Sequence, residues 1–168
     1  KDKSKIVEMI EDYRNTNKKY IKFYEGRLKD FEDMNVESFS DLTRAYVKIQ
    51  DGCNNYCAYC IIPYVRGSIR SKKFEDAVLE IKNLVNKGHK EIVFTGINTG
   101  AYGKEIGKYD LTDLIREISK IDGLERIRVS SIEITEINDK FIEEMRVNPK
   151  LCAHLHVSLQ SGSERVLQ

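Results

Sequence analysis

From Arg44 onward the chain repeats one pattern, an apolar strand segment followed by an amphipathic helix, and this repetition limits the fold more than any other feature. Residues 45–50 (AYVKIQ) alternate apolar and polar side chains like a half-buried strand. Residues 74–86 put Ala77, Val78, Ile81, Leu84 and Val85 on one helical face, and Gly88 follows as a stop signal. Residues 91–95 (EIVFT) form a short buried strand, and residues 111–121 return to helical spacing with Asp110 or Thr112 available as a cap. A third strand is expected at 126–132 and a helix at 138–147, stopped by Pro149. A fourth strand follows at 154–159, and another helix begins at Ser163. Such alternation implies an α/β fold, a parallel sheet wound right-handedly with helices outside it. Four units are too few for an eight-stranded closed barrel, so a partial barrel is expected.

Before Arg44 the pattern is weaker. Residues 5–13 place Ile6, Met9, Ile10 and Tyr13 on one helical face. Residues 15–43 are rich in lysine, aspartate and asparagine and read as a connector, with one expected strand at 20–24. The first residue is not methionine and the last two are Leu167-Gln168, so the sequence reads as a piece of something longer.

In parallel α/β folds, chemistry sits beyond the C-terminal ends of the strands. The unusual loops fall there: DGCNNYCAYC after the first strand, GINTGAYG after the second, SIEITE after the third and QSGS after the fourth. The first carries Cys53, Cys57 and Cys60 in a C-x3-C-x2-C spacing. Three thiolates on one loop suit three irons of a cubane cluster. The fourth iron is then open to the amino and carboxylate groups of S-adenosylmethionine (SAM), and an electron from the cluster can cleave its sulfonium. Two other readings stay open. A structural zinc site would need a fourth ligand such as Cys152 or a histidine, and its spacing is unusual. A redox pair Cys57/Cys60 leaves Cys53 unexplained. Cys152 itself precedes a strand and reads as a buried structural thiol.

Composition narrows the class. Apolar residues make up 40% and charged residues 33%, which suits a globular chain, and the net charge of +1 gives no overall footprint for nucleic acid. No apolar run approaches the ~18 residues that span a bilayer, and no signal-peptide pattern opens the chain, so a cytoplasmic protein without membrane attachment is expected. In a reducing compartment, three cysteines within eight residues point to a metal or redox site rather than disulfides.

The segment KIQDGCNNYCAYCIIPYVRGSIRS, with Tyr59 at the aromatic position of C-x3-C-x-aromatic-C, resembles the radical SAM superfamily, and within it the methylthiotransferase family. TGINTGAYG (95–103), RVSSIEITEI (128–137) and HLHVSLQSGS (154–163) are similar to further segments of that family, in the same order. The resemblance covers roughly 44–168. It implies a partial radical SAM (β/α)6-type barrel holding a [4Fe–4S] cluster on Cys53, Cys57 and Cys60. It also implies residues 1–43 as the end of an N-terminal domain plus linker, with 1–13 its last helix. A second [4Fe–4S] cluster in that domain and a C-terminal TRAM domain would lie outside this chain, which alone would not complete methylthiolation.

The TGINTGAYG loop is most similar to the branch acting on N6-threonylcarbamoyladenosine at position 37 of tRNA. The implied reaction adds a methylthio group at C2 of that base. One SAM supplies the methyl group that caps a sulfur on the second cluster, and another yields the 5′-deoxyadenosyl radical. Implied partners are ANN-decoding tRNA and an electron donor such as flavodoxin or ferredoxin. Alternatives are isopentenyladenosine in tRNA, a ribosomal-protein aspartate, or, in a different class, a zinc-binding RNA-interaction module.

The resemblance also suggests roles. Tyr59 would pack on the adenine of SAM. Gly96 and Asn98 would meet its methionine amino group, with Gly100 and Gly103 alongside. Ser131 and Glu133 would contact its hydroxyls or carboxylate, and Gln160 would point into the same cavity. Arg66, with Arg70, Lys72 and Lys73 beyond it, would neutralise the SAM carboxylate or RNA phosphates, against the plainer reading of a solvated basic loop. His154 and His156 share a strand face and read as satisfied interior histidines.

Overall fold

The computed structural model describes residues 3–17, 19, 21, 30–34 and 42–167. In chain order the elements are α1 (Ile6–Thr16), β1 (Arg44–Lys48), β2 (Gln50–Asp51), α2 (Ile62–Val65), β3 (Arg70–Ser71), α3 (Phe74–Asn86) and β4 (Glu91–Thr95). After these come α4 (Leu111–Ser119), β5 (Arg126–Val129), β6 (Ser131–Ile132), α5 (Asp139–Val147), β7 (His156–Val157) and α6 (Glu164–Leu167).

β4 runs between β1 and β5, parallel to both, in one three-stranded sheet. The register explains why this stretch alternates. Ala45, Ile92 and Ile127 lie side by side, as do Val47, Phe94 and Val129, and all six are buried with Ile81 and Leu84 of α3 and Leu114 and Ile118 of α4. Burying each of the larger side chains contributes about 1.5–3 kcal/mol. The intervening positions point to the opposite face: Tyr46, Val93 and Arg128, with Arg44, Glu91 and Arg126 one step earlier. One face of the sheet is therefore oily and covered by helices, and the other carries the polar groups.

On that polar face Glu91 is 4% exposed and collects Arg44 at 2.8 Å, Arg126 at 3.0 Å and Arg128 at 3.1 Å. Burial alone pushes its carboxyl up, but the hydrogen bonds and charges of the three guanidinium groups prevail and hold it below the ordinary glutamate range. Because the folded-state value lies below the unfolded one, this stabilisation is full above about pH 4.5 and fades as pH falls further. Glu91→Gln is expected to lower unfolding free energy by about 1–3 kcal/mol at neutral pH. Urea melts of the two proteins should converge as pH drops towards 3.

Local rules place the helix starts. Asp110 accepts a hydrogen bond from the Asp113 N–H (2.9 Å) while its own N–H donates to Asp113 Oδ2 (3.1 Å), a reciprocal cap on α4. Lys140 binds both carboxylates, tying α5 to that end. Asn138 Oδ1 caps α5 through the Phe141 N–H.

Several expected boundaries shift. The third strand breaks at Ser130, between β5 and β6. The helix expected to reach residue 121 ends at Ser119. The fourth strand, expected over 154–159, is reduced to β7, parallel to β6, plus an isolated bridge from Leu151 to Ile127. Its cause is local: the His154 N–H turns back to the Cys152 carbonyl at 2.7 Å, which takes 153–155 out of the ladder. His154 and His156 are both exposed, so the expectation of interior histidines is corrected. α1 forms where the apolar face predicted it, but none of its residues is buried. The strand expected at 20–24 lies outside the described residues apart from Ile21, which is not in a strand. Among the described residues, no helix is long and apolar enough to cross a membrane.

Candidate functional site

β1 delivers the chain to the edge of the sheet, and there the backbone leaves it. Ile49 still donates to Thr95, but its carbonyl accepts from the Lys72 N–H, and β2 pairs antiparallel with β3. Everything between β2 and β3 is an excursion closed at its base by that pair, and it contains Cys53, Cys57 and Cys60. The closure is tight. Gly52 sits at φ +74°, where a Cβ would come within 2.0 Å of the Ser68 carbonyl oxygen, and the Cys53 N–H donates to Gly67 O at 3.1 Å.

Within the loop, the Cys60 N–H donates to Cys57 O (2.9 Å), forming a turn, and the Asn55 N–H lies 3.4 Å from Cys53 Sγ. Tyr56 takes the left-handed conformation at φ +48°. All four cysteines are free thiols and partly exposed. Three unpaired thiols on one short loop, with a backbone amide already aimed at one of them, form a donor set for a soft metal centre, and iron–sulfur clusters use this chemistry. The donor types fit the group. The sulfurs themselves are not closed around a point: among the described residues, no three His, Cys, Asp or Glu side chains converge as a metal-ligand group. A metal commonly completes such a loop as it binds.

Asp51, buried at the base of the loop, receives Lys48 (2.7 Å) and both Nε and Nη2 of Arg66 (3.1 and 2.8 Å), with Arg70 Nη2 at 3.5 Å. Burial opposes its ionisation, but the hydrogen bonds from Arg66 and Lys48 outweigh that and hold the carboxyl well below the usual carboxylate range. Arg66, expected to meet an anionic ligand, is thus gripped by a side chain two positions before Cys53. Arg70 and Lys72 are buried as well, Lys72 between Asp33 and Glu80 at 2.6 Å each, so the basic run after the cysteines is largely ion-paired and only Lys73 is exposed.

The glycine-rich loop after β4 lies directly against this base. The Asn98 N–H donates to Gln50 Oε1 at 2.8 Å, and a Cβ at Gly96 would meet Gln50 at 3.0–3.1 Å. Asn98 is 3% exposed; its Nδ2 faces Glu136 at 3.4 Å, and its Oδ1 is a buried acceptor without a partner among the described residues. Gly100 packs against Glu136 and Ile132, where a Cβ would fall within 2.4 Å of Glu136 Cβ. Thr99 reaches Ser130 at 3.1 Å. Farther along, the Gly103 N–H donates to Ser71 Oγ, and Tyr102 is fully buried, with burial raising its hydroxyl above the usual tyrosine range.

The first three loops therefore meet. Ser131 is exposed, its Oγ 3.3 Å from His156 Nδ1, and Glu133 is partly buried at the start of the turn that carries Glu136. Tyr59 is 77% exposed and Gln160 is exposed, so neither ring nor amide is packed into the loop cluster. Three residues that sequence reasoning passed over hold the arrangement together: Gln50, Asp51 and Glu136. The available signal was polarity at the strand end next to Cys53, where the alternation assigns Gln50 to the polar face of β1.

Comparison with known proteins gives the family and the fold. Residues 47–168 match the radical SAM superfamily model. The threonylcarbamoyladenosine tRNA methylthiotransferase MtaB of Bacillus subtilis is 41% identical over 170 residues, covering 99% of this chain and 38% of that protein. The MtaB of Thermotoga maritima is 48% identical over 132 residues, covering 78% and 30%. The tRNA-2-methylthio-N(6)-dimethylallyladenosine synthase of Clostridium novyi is 40% identical over 165 residues, covering 98% and 36%. The chain thus spans under two-fifths of the length of these relatives. Among solved structures, the radical S-adenosylmethionine methyltransferase TsrM from Kitasatospora setae, with cobalamin and a [4Fe–4S] cluster bound, superposes with a TM-score of 0.57 at 17% identity. It covers 73% of this chain and 23% of that one, a likeness of fold. With its parallel sheet, its three-cysteine loop beyond the first strand and a family match running to its last residue, this chain belongs to the radical SAM superfamily and is similar along nearly its whole length to tRNA methylthiotransferases.

Proposed function

We propose that residues 44–168 are the cluster-binding core of a radical SAM methylthiotransferase that modifies C2 of N6-threonylcarbamoyladenosine at position 37 of tRNA. The observation that carries this reading is the set of three free thiols on a loop beyond the first strand of the parallel sheet, braced against a glycine-rich loop. Bound there, a [4Fe–4S] cluster supplies the electron that cleaves the sulfonium of SAM. Cys53, Cys57 and Cys60 hold the cluster as thiolates. Gly96 leaves the strand end bare, and Asn98 Oδ1, buried and without a partner among the described residues, is an acceptor for an N–H of the methionine amino group. Ser131 and Glu133 border the same end of the sheet and are assigned to the ribose hydroxyls. Tyr59 is assigned to the adenine, which its exposed ring can cover as the loop closes. Arg66 and Gln160 complete the residues assigned to this cavity. tRNA and a small electron-transfer protein are the partners this reading requires.

A second reading, dimethylallyladenosine as the base, is favoured by the 40% identity to the Clostridium novyi synthase. Two measurements test the pair. The chain, reconstituted anaerobically with iron and sulfide, is expected to turn brown and to change its reduced EPR spectrum when SAM is added; a colourless protein holding zinc rejects the radical reading. In the producing cell, Cys53→Ala is expected to remove 2-methylthio-N6-threonylcarbamoyladenosine from hydrolysed tRNA. Loss of the methylthiolated dimethylallyl nucleoside instead selects the second base, and no change in either rejects both.

A further inference from the structure

The ladder that closes the cysteine loop is only two residues long, Gln50 opposite Ser71 and Asp51 opposite Arg70. So short a ladder is weak on its own. The additional hold comes from the side chains of β2, which point to different partners. Asp51, 5% exposed, joins the two arms of the loop: Lys48 before it, Arg66 and Arg70 after it, and the Gly52 N–H at 2.8 Å. Arg70 extends the grip by donating to the carbonyls of Arg66 (2.7 Å) and Ser68 (2.9 Å). Gln50, 0% exposed, spends its two donors on the carbonyls of Asp51 (2.9 Å) and Gly52 (2.7 Å), and its acceptor on the Asn98 N–H. Only an amide has both ends: a glutamate there would face two carbonyl oxygens with a third acceptor.

We propose that the buried Gln50–Asp51 pair is the brace that sets the cysteine loop against the glycine-rich loop, so that the thiols and residues 96–98 meet one and the same bound molecule. The inference rests on the reading of Cys53, Cys57 and Cys60 as ligands. Gln50 and Asp51 are positioning residues; neither is a ligand. Asp51 acts on the loop through a charge-assisted fork, which is stiffer than neutral hydrogen bonds, and Gln50 transmits the position of that base to Asn98.

Hydrogen–deuterium exchange on the apo chain tests this without any cluster. Asp51→Asn is expected to speed exchange across 52–69 roughly ten-fold, with α4 unchanged to within about two-fold. Gln50→Leu should extend the faster exchange to Asn98 and Thr99. Arg66→Lys keeps the charge but loses the fork, and should give a smaller rise over the same residues; it also stands in if Asp51→Asn proves insoluble. A uniform rise that includes α4 would make the pair a general stabiliser and overturn the brace, as would an unchanged loop. Iron retained after reconstitution and gel filtration is the second readout, expected to fall in both β2 variants relative to the parent chain. If the parent chain takes up no iron, the ligand reading fails while the exchange result still judges the brace.

Discussion

Cys53→Ala, Cys57→Ala and Cys60→Ala are each expected to lower the iron content of the reconstituted chain from about four per polypeptide to near zero, and Cys152→Ala to leave it unchanged. The loop offers three thiols and no spare. Removing one leaves two irons of a cubane held by protein, with the neighbouring carboxylate, Asp51, already engaged by Lys48 and Arg66. Cys152 is a fourth cysteine by count only. Its N–H donates to Ile127 O at 2.9 Å, and Ile127 lies in register with Ile92 and Ala45, near the start of the strands, whereas Cys53 follows their ends. Iron and sulfide assays with visible absorbance read the outcome. Equal loss of iron in the Cys152 variant would make the site a four-cysteine one and remove the open iron on which SAM chemistry depends.

Gly52→Ala is expected to cost roughly 2–5 kcal/mol, the sum of a left-handed penalty and a backbone displacement. The added Cβ would lie 2.0 Å from Ser68 O and 2.7 Å from both Gly67 O and Ser68 C, all backbone atoms that cannot swing aside. Relief requires the two arms of the cysteine loop to part, so iron uptake should fall along with stability. Gly107→Ala is the matched control. Its φ of +70° is nearly the same as the +74° of Gly52, but among the described residues, its own chain neighbours aside, no atom lies within 4 Å of the added carbon, so only about 1–2 kcal/mol of conformational penalty remains. Urea denaturation of both variants separates the contributions. Equal costs would show that the base of the loop is not packed as described.

Part of this architecture was legible because it is periodic. The two-residue alternation around Val47, the short apolar run ending at Phe94 and the 3.6-residue spacing of Ile81, Leu84, Leu114 and Ile118 identify buried strands and helix faces without any coordinates. Phe74–Asn86 and Glu91–Thr95 fall where that pattern puts them. The cysteine spacing likewise narrows the chemistry to a metal or redox site, since three thiols lie within eight residues. Less was legible wherever a backbone partner rather than a side-chain pattern sets the outcome. β2 and β3 form where the Lys72 N–H donates to the Ile49 carbonyl across a long loop, and nothing periodic announces it. The fourth strand shortened for the same reason, through one turn at Cys152.

The sequence by itself determined the strand–helix alternation, the loop that carries the thiols and the end of the sheet at which it emerges, because each follows from local spacing of residue types. Only the tertiary structure decided what the charged and amide side chains do. Along the chain Arg66, Arg70 and Lys72 read as groups for an anionic ligand or as a solvated basic loop, yet folding brings Asp51, Asp33 and Glu80 onto them, and the burial of Arg70 and Lys72 in a low-dielectric setting makes pairing obligatory. Gln50 reads as one more polar residue at a strand end. In three dimensions its amide spans two loops that lie 48 positions apart at Asn98, a contact that exists only once both strands are in the sheet.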